Sequence, residues 1–399
     1  MRLSNRITGF QASPIRRLVS YANNAKRRGI HVFHLNIGQP DINTPPQVFK
    51  AIQNYDKPYI PYGQSEGDLP LREALPDYYK RYKADVSPLD IMITTGGSEA
   101  LQFVFMAICD PEDQIIIPEP YYTNVGAFAN AANIELVPVT SSLKNNFVLP
   151  TIDEFEKAIT EKTRGILLCS PNNPTGHIYT DGELRQLLEL VKKYEIFLVV
   201  DEVYREFCYD GEQFTSILKY SEYSQQVIVV DSFSKRYNMC GARIGALVTK
   251  NRDVLHGVMK LAQARLCPPD IEQVAALAAL STPPEYLEMV RDEYQNRRDF
   301  LIEQLKNIEG VSFSVPKGAF YLVVELPVED AEDFCIFLLK DFDYNGQTVM
   351  LAPAEGFYVT PTLGRKEVRI AYVLNKVDLK HAVNCLKEAL KVYPKKVSK

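Results

Sequence analysis

"VIVVDSFSKRYNMCGARIGALV", residues 227–248, sets two apolar runs around a polar loop. The runs, 227–232 and 243–248, lack the polar alternation of a half-exposed strand, so they suit strands covered on both faces. The loop between them carries Ser232, Ser234, Lys235 and Arg243. Two hydroxyls and a guanidinium fork suit a dianionic phosphate. A lysine set among cations has its ammonium form disfavoured, which leaves more of it as a neutral, nucleophilic amine. An amine beside a phosphate cradle points to covalent bonding of a phosphorylated aldehyde.

Working outward, runs of the same kind lie at 90–95, 114–118, 134–139, 165–170 and 196–202. Amphipathic patterns such as 99–108 and 182–194 separate them. Strand alternating with helix is the pattern of an α/β fold. A large domain with a mainly parallel seven-stranded sheet, helices on both faces, is therefore expected. After it come a long helical pattern at 284–308, short strands, a helix near 329–341, the strand "EVRIAYV" and a closing helix. This tail reads as a smaller α+β domain. The expected boundaries are 1–45 for an arm and a leading piece of the small domain, 46–285 for the large domain, and 286–399 for the rest of the small one.

Bulk properties narrow the function. At 399 residues the chain exceeds the size at which one core stops growing, and its 46% hydrophobic and 24% charged residues are those of an ordinary folded protein. A net charge of −5 gives no reason to expect nucleic acid or an anionic membrane as partner. The amino-terminal segment lacks the apolar core of a signal peptide, and no apolar stretch approaches the roughly 20 residues of a membrane span. The seven cysteines are scattered and never form a CxxC pair, which fits a reducing, cytoplasmic compartment. The five histidines have no metal-ligand spacing, so no metal is expected.

In parallel sheets ligands sit at the carboxyl ends of strands, and four such ends here carry polar groups. After 90–95 comes "GGSEAL": Gly96 and Gly97 let backbone approach a ligand, and Ser98 and Glu99 open a helix whose free N–H groups suit phosphate. After 165–170 comes "SPNNPTG", a stiff loop presenting Asn172 and Asn173. The strand at 196–202 ends in "DEVY", where Asp201 is costly to bury without a cation and Tyr204 brings a phenol. The fourth end is the opening stretch. Alone, each is a turn, a helix cap or a basic loop. Together they offer a phosphate cradle, an amide, a carboxylate with a phenol, and an amine. Pyridoxal 5'-phosphate needs each of these: the amine forms a Schiff base, the carboxylate keeps the ring nitrogen protonated, and phenol and amide can bond the ring hydroxyl.

The chain resembles the fold type I, class I/II pyridoxal-phosphate-dependent aminotransferases. The resemblance is carried by "LNIGQPDINTP" (35–45), "YGQSEGDLPLREAL" (62–75), "TGGSEAL" (95–101), "PEPYY" (118–122), "SPNNPTG" (170–176), "DEVY" (201–204), "SFSKRYNMCGARIG" (232–245) and "VRIAYV" (368–373), in family order. It implies that Lys235 forms the internal aldimine and serves as base on the way to pyridoxamine phosphate. It further implies that Asp201 pairs with the ring nitrogen while Asn173 and Tyr204 contact the ring hydroxyl. Ser232, Ser234, Arg243 and the backbone of Gly97, Ser98 and Glu99 would hold the phosphate, and Tyr122 would stack on the ring. Arg369, helped by the Gly38 amide, would bind the substrate α-carboxylate, and Asn173 and Tyr122 would also touch substrate. Tyr62 matches the residue that the family sends across a dimer interface to the neighbour's phosphate, so a homodimer with shared sites is expected.

The implied reaction moves the α-amino group of an amino acid to a 2-oxo acid. The chain has no tryptophan, whereas many relatives of aspartate aminotransferase stack one on the ring, and no second arginine for a distal carboxylate stands out. Aspartate, alanine and aromatic donors therefore stay open. A carbon–sulfur β-lyase on the same fold is the alternative, since it needs the same catalytic residues. A DNA-binding regulator of this fold is not expected, because about 30 residues before the first motif are too few for a helix-turn-helix domain.

Overall fold

The computed structural model describes residues 1–8, 10 and 13–396. Strand β1 is His31–His34. The next seven are β2 (Ile91–Thr94), β3 (Gln114–Glu119), β4 (Glu135–Thr140), β5 (Thr163–Cys169), β6 (Phe197–Asp201), β7 (Val227–Ser232) and β8 (Gly245–Val248). They form one sheet in the order β2-β8-β7-β6-β5-β3-β4. All of its pairings are parallel except those of β8, which runs antiparallel to β2 and β7. These are the seven strands read from the sequence. The last begins two residues later than expected. Arg243 has φ +53°, a left-handed conformation that no extended strand accommodates, so residues 243 and 244 still belong to the turn.

The apolar character of both strand faces has a direct counterpart in packing. Along β7, Val227 and Val229 enter one core and Ile228 and Val230 the other. Leu198 and Val200 of β6 likewise oppose Val199. One core includes Leu184, Leu187 and Leu188 of helix Asp181–Lys193; the other includes Leu101, Val104 and Phe105 of helix Gly96–Ile108. The sheet is thus sandwiched between helical layers, as strands without a polar face require.

The remaining strands are β9 (Ser312–Phe313), β10 (Tyr321–Glu325), β11 (Gln347–Met350), β12 (Ala352–Pro353) and β13 (Glu367–Ala371). An antiparallel sheet runs β12-β13-β10-β9, and β1 pairs with β11 in parallel. A third core covers this region and draws in Leu379, Leu386 and Ala389 of the closing helix Lys376–Val392. The long helix Pro284–Leu305 places Leu287 in the core of the large sheet and Val290, Tyr294, Leu301 and Leu305 in the third core. Among the described residues no helix is long and apolar enough to cross a membrane.

Candidate active site at the strand ends

A cleft of about 560 Å3 opens at the carboxyl ends of β5, β6 and β7. Its lining gathers twelve of the residues singled out in the sequence: Gly38, Gly97, Ser98, Tyr122, Asn173, Asp201, Tyr204, Ser232, Ser234, Lys235, Arg243 and Arg369. They come from segments far apart in the chain, and the sheet order brings them together. Strand β8 enters the sheet between β2 and β7, so the glycine turn after β2 and the serine loop after β7 face one another.

Lys235 is the amine of the cleft. Its Nζ donates to the Gly38 carbonyl at 2.7 Å and lies 3.8 Å from Cys240 Sγ. Burial lowers its pKa; the neighbouring Cys240 opposes the shift, and Arg369 and Arg243 add to it. The turn carrying it is fixed from beneath. Asp231 at the end of β7 accepts from Arg236 Nη1 at 2.7 Å, from Tyr79 at 2.8 Å and from the Ser232 amide at 2.8 Å. Arg205 joins at 3.6 Å and also pairs with Glu202 at 3.1 Å. Burial acts to raise the Asp231 pKa, but Arg205 and Arg236 outweigh it and hold the carboxyl below its usual value. These charges are all buried, so the loop rests on a buried ionic floor rather than on solvent.

At one end of the cleft lie the groups expected to hold phosphate. The Ser232 and Ser234 hydroxyls are 2.8 Å apart. Gly96 has φ +75°, and a Cβ there would stand 2.6 Å from Arg243 Nη2, so the guanidinium lies directly against bare backbone. Gly97 and Ser98 follow in the first turn of helix Gly96–Ile108, where amide N–H groups lack intrahelical partners. Arg243 Nη1 donates to the Cys240 carbonyl at 3.0 Å, and no carboxylate pairs with Arg243 among the described residues.

In the middle, Asp201 accepts from the Val203 amide at 3.1 Å and has no cationic partner in ion-pair contact among the described residues. Burial pushes its carboxyl up to about 7. Beside it the Tyr204 hydroxyl lies 2.9 Å from that of Tyr321, and burial raises the Tyr204 pKa well above its usual value. Tyr122 lines the wall of the cleft.

At the far end Arg369 projects from β13, opposite Val323 of β10 and Ala352 of β12. It is 1% exposed. Its Nη1 donates to Asn173 Oδ1 at 3.1 Å and its Nη2 to the Asn36 carbonyl at 2.5 Å, while its Nε is buried with no partner. The guanidinium lies 4.4 Å from the centre of the Tyr321 ring. Burial lowers its pKa, because among the described residues no carboxylate pairs with it.

Two residues singled out in the sequence do not line the cleft of their own chain. The Glu99 carboxylate accepts from the Thr95 amide at 2.7 Å and pairs with Arg265 at 2.6 Å, outside the cleft lining. Tyr62 is 81% exposed and does not line the cleft of its own chain. Sequence reasoning also missed Tyr321, Asn36 and Cys240. Asn36 and Cys240 sit inside the motifs 35–45 and 232–245, which was the available signal. Tyr321 opens an apolar strand and looks like core. A Cβ on Gly38 would lie 1.7 Å from its hydroxyl, so a glycine two residues after Asn36 is what admits it.

A buried amine, a buried carboxylate lacking a cation, and guanidiniums lacking anions lie along one cleft on a sandwiched, mainly parallel sheet. This arrangement is that of the pyridoxal-phosphate-dependent transferases of fold type I. The chain belongs to the aminotransferase class I and II family, whose model matches residues 30–386. It is 33% identical over 383 residues to an aspartate aminotransferase of Thermotoga maritima, covering 94% of this chain and 98% of that protein. An aspartate aminotransferase of Thermus thermophilus superposes with a TM-score of 0.88 at 29% identity, covering 98% of this chain and all (100%) of the other. An alanine aminotransferase of Pyrococcus furiosus gives a TM-score of 0.89 at 29% identity, with the same coverage, 98% and 100%. The protein is a pyridoxal-phosphate-dependent aminotransferase, and amino-group transfer is favoured over carbon–sulfur elimination.

Proposed function

We infer that Lys235 is the residue that bonds the cofactor and then moves the substrate proton, and that the other cleft residues divide between cofactor and substrate. The observation that carries this reading is the spacing of unmet charges around the Lys235 amine. The residues fit pyridoxal phosphate: Gly96, Gly97 and Arg243 leave bare backbone and a guanidinium without a counter-ion for a phosphate, and Asp201 lacks the cation that a protonated pyridine nitrogen would supply. When bound, the cofactor supplies an aldehyde to take the amino group and a ring to withdraw electrons from the substrate Cα.

In this reading Ser232, Ser234, Arg243 and the amides of Gly97, Ser98 and Glu99 hold the phosphate. Asp201, raised chiefly by burial with Asp231 adding to the shift, ionises fully once a cation sits beside it and so keeps the ring nitrogen protonated. Tyr204 and Asn173 donate to the ring hydroxyl, and Tyr122 covers the ring. Arg369 binds the substrate α-carboxylate. Asn173 and Asn36 each take one N–H of its fork, which fixes its plane and leaves Nε–H and further N–H groups for the carboxylate. Lys235 Nζ, with its proton affinity lowered by burial, takes the proton from Cα.

The assembly is proposed to be a homodimer, in which the exposed Tyr62 reaches the neighbouring site, and the compartment to be the cytoplasm, where the seven free cysteines stay reduced. The parts carrying the two sides of the cleft are proposed as a large domain, 46–285, and a small one formed by 1–45 and 286–399. The test is a donor screen with purified enzyme, 2-oxoglutarate and pyruvate serving as acceptors. Formation of the amino acid matching the acceptor supports transfer. Pyruvate and ammonia released from cystathionine without any acceptor would instead mark a β-lyase.

A further inference from the structure

Tyr321 lines the cleft, is 2% exposed, and has no part in the roles above. It opens β10, where residues two apart share a face of the sheet. Strand β10 pairs with β13 so that Val323 stands opposite Arg369 and Tyr321 opposite Ala371. Tyr321 and Arg369 are therefore diagonal neighbours on one face, within reach of an aromatic ring and a long side chain. The contact is made: the Arg369 guanidinium lies 4.4 Å from the centre of the Tyr321 ring, and 5.1 Å from that of Phe357.

The other end of Tyr321 reaches the cofactor side of the cleft. Its hydroxyl lies 2.9 Å from that of Tyr204, its one hydrogen-bond partner among the described residues. The two rings pack edge to face, with centres 5.5 Å apart at 85°. Residue 38 makes room by having no side chain, since a Cβ there would stand 1.7 Å from the Tyr321 hydroxyl. A phenol has one proton to give and two lone pairs to accept with. With the Tyr204 proton committed to the cofactor's ring hydroxyl, the bond between the phenols must run from Tyr321 to Tyr204. Donors in such a chain polarise one another, so the outer bond strengthens the inner one.

We propose that Tyr321 is a positioning residue that serves cofactor and substrate together: its hydroxyl donates to Tyr204 and strengthens the Tyr204 contact with the ring oxygen, while its ring face holds the Arg369 guanidinium in place for the α-carboxylate. This rests on the assignments of Tyr204 and Arg369 above. A purely structural tyrosine needs a partner for its hydroxyl and packing for its ring. Here both are groups that face the reacting molecules.

The first readout is the pKa of the yellow chromophore in substrate-free holoenzyme, followed by visible absorbance. A weaker donor at Tyr204 leaves the ring oxygen with more charge to hold the chromophore's proton, so Tyr321→Phe should raise that pKa by about 0.5 unit. In a Tyr204→Phe background the same substitution should leave it unmoved, because the link through which Tyr321 acts is gone. The second readout is the affinity of 2-methylalanine or 2-methylaspartate, whichever the wild type binds; lacking an α-hydrogen, they occupy the site without turnover. Tyr321→Phe keeps the ring and should bind within about twofold of wild type, while Tyr321→Met fills the space without a π face and should bind about fivefold more weakly. An unmoved pKa in Tyr321→Phe, an equal shift with and without the Tyr204 hydroxyl, or wild-type affinity in Tyr321→Met overturns the proposal. Tyr204→Phe and Arg369→Met report on the assignments beneath it. Should they move neither readout, those assignments fail and the proposal with them; should they respond while the Tyr321 variants do not, the proposal alone fails. In the event that Tyr321→Met does not fold, the Tyr321→Phe comparisons still decide.

Discussion

Replacing Arg369 by methionine separates binding from stability. The guanidinium is buried, holds two neutral acceptors and has no ion-pair partner among the described residues. Losing those two hydrogen bonds costs about 1 kcal/mol each, but removing a buried charge without a counter-ion recovers several kcal/mol. The folded protein should therefore melt at or above the wild-type temperature. Catalysis should suffer instead. Loss of a charged, bidentate contact to the α-carboxylate costs about 3 kcal/mol, or about a hundredfold in kcat/KM, for every amino donor. The assay is steady-state kinetics normalised to bound cofactor, alongside thermal unfolding. A kcat/KM within about twofold of wild type, or a steep fall in Tm with unchanged normalised kinetics, would place Arg369 in the framework and refute the reasoning.

The remaining expectations concern the cofactor and the assembly. Arg243→Ala should lose cofactor on dialysis and regain part of its activity with added pyridoxal phosphate, while Arg369→Met should not respond; equal response of both sinks the division of roles. In the cofactor-free protein the Asp201 carboxyl is raised to about 7 from an unfolded value near 4, so its contribution to stability is complete below about pH 4 and is lost as pH rises toward 7. Thermal melts of the apoprotein across that window should fall with pH relative to Asp201→Asn, and parallel curves would show that the carboxyl is not perturbed. Light scattering should give a dimer, and mixed Tyr62→Phe and Lys235→Ala subunits should recover one intact site per hybrid; a fully active monomer contradicts the shared site.

What could be read from the sequence follows from the range of the interactions involved. The seven strands of the large sheet were legible because each is apolar on both faces, a property of consecutive residues. The strand-end groups were legible for the same reason: Asp201 and Ser232 are the last residues of β6 and β7. The late start of β8 was not, since it depends on the left-handed turn at Arg243. Asn36 bonds to residues 21 and 333 positions away, and no local pattern reports such links. Arg16 and Arg17 read alike as basic residues of an arm; only the fold shows Arg16 at the cleft while Arg17 pairs with Glu332. The floor of Asp231, Arg205 and Arg236 was hidden too, because a charged residue in a loop reads as solvated until its partners are placed.

The most direct test of the central assignment is chemical. The purified yellow holoenzyme is reduced with borohydride, digested, and mapped by mass spectrometry. The expected result is a pyridoxyl phosphate adduct on Lys235 alone, lost when the enzyme is first converted by an amino donor to the form in which the lysine is free. An adduct on another lysine, or one that persists after amino donor treatment, would contradict the assignment of Lys235 as the residue on which amino-group transfer turns.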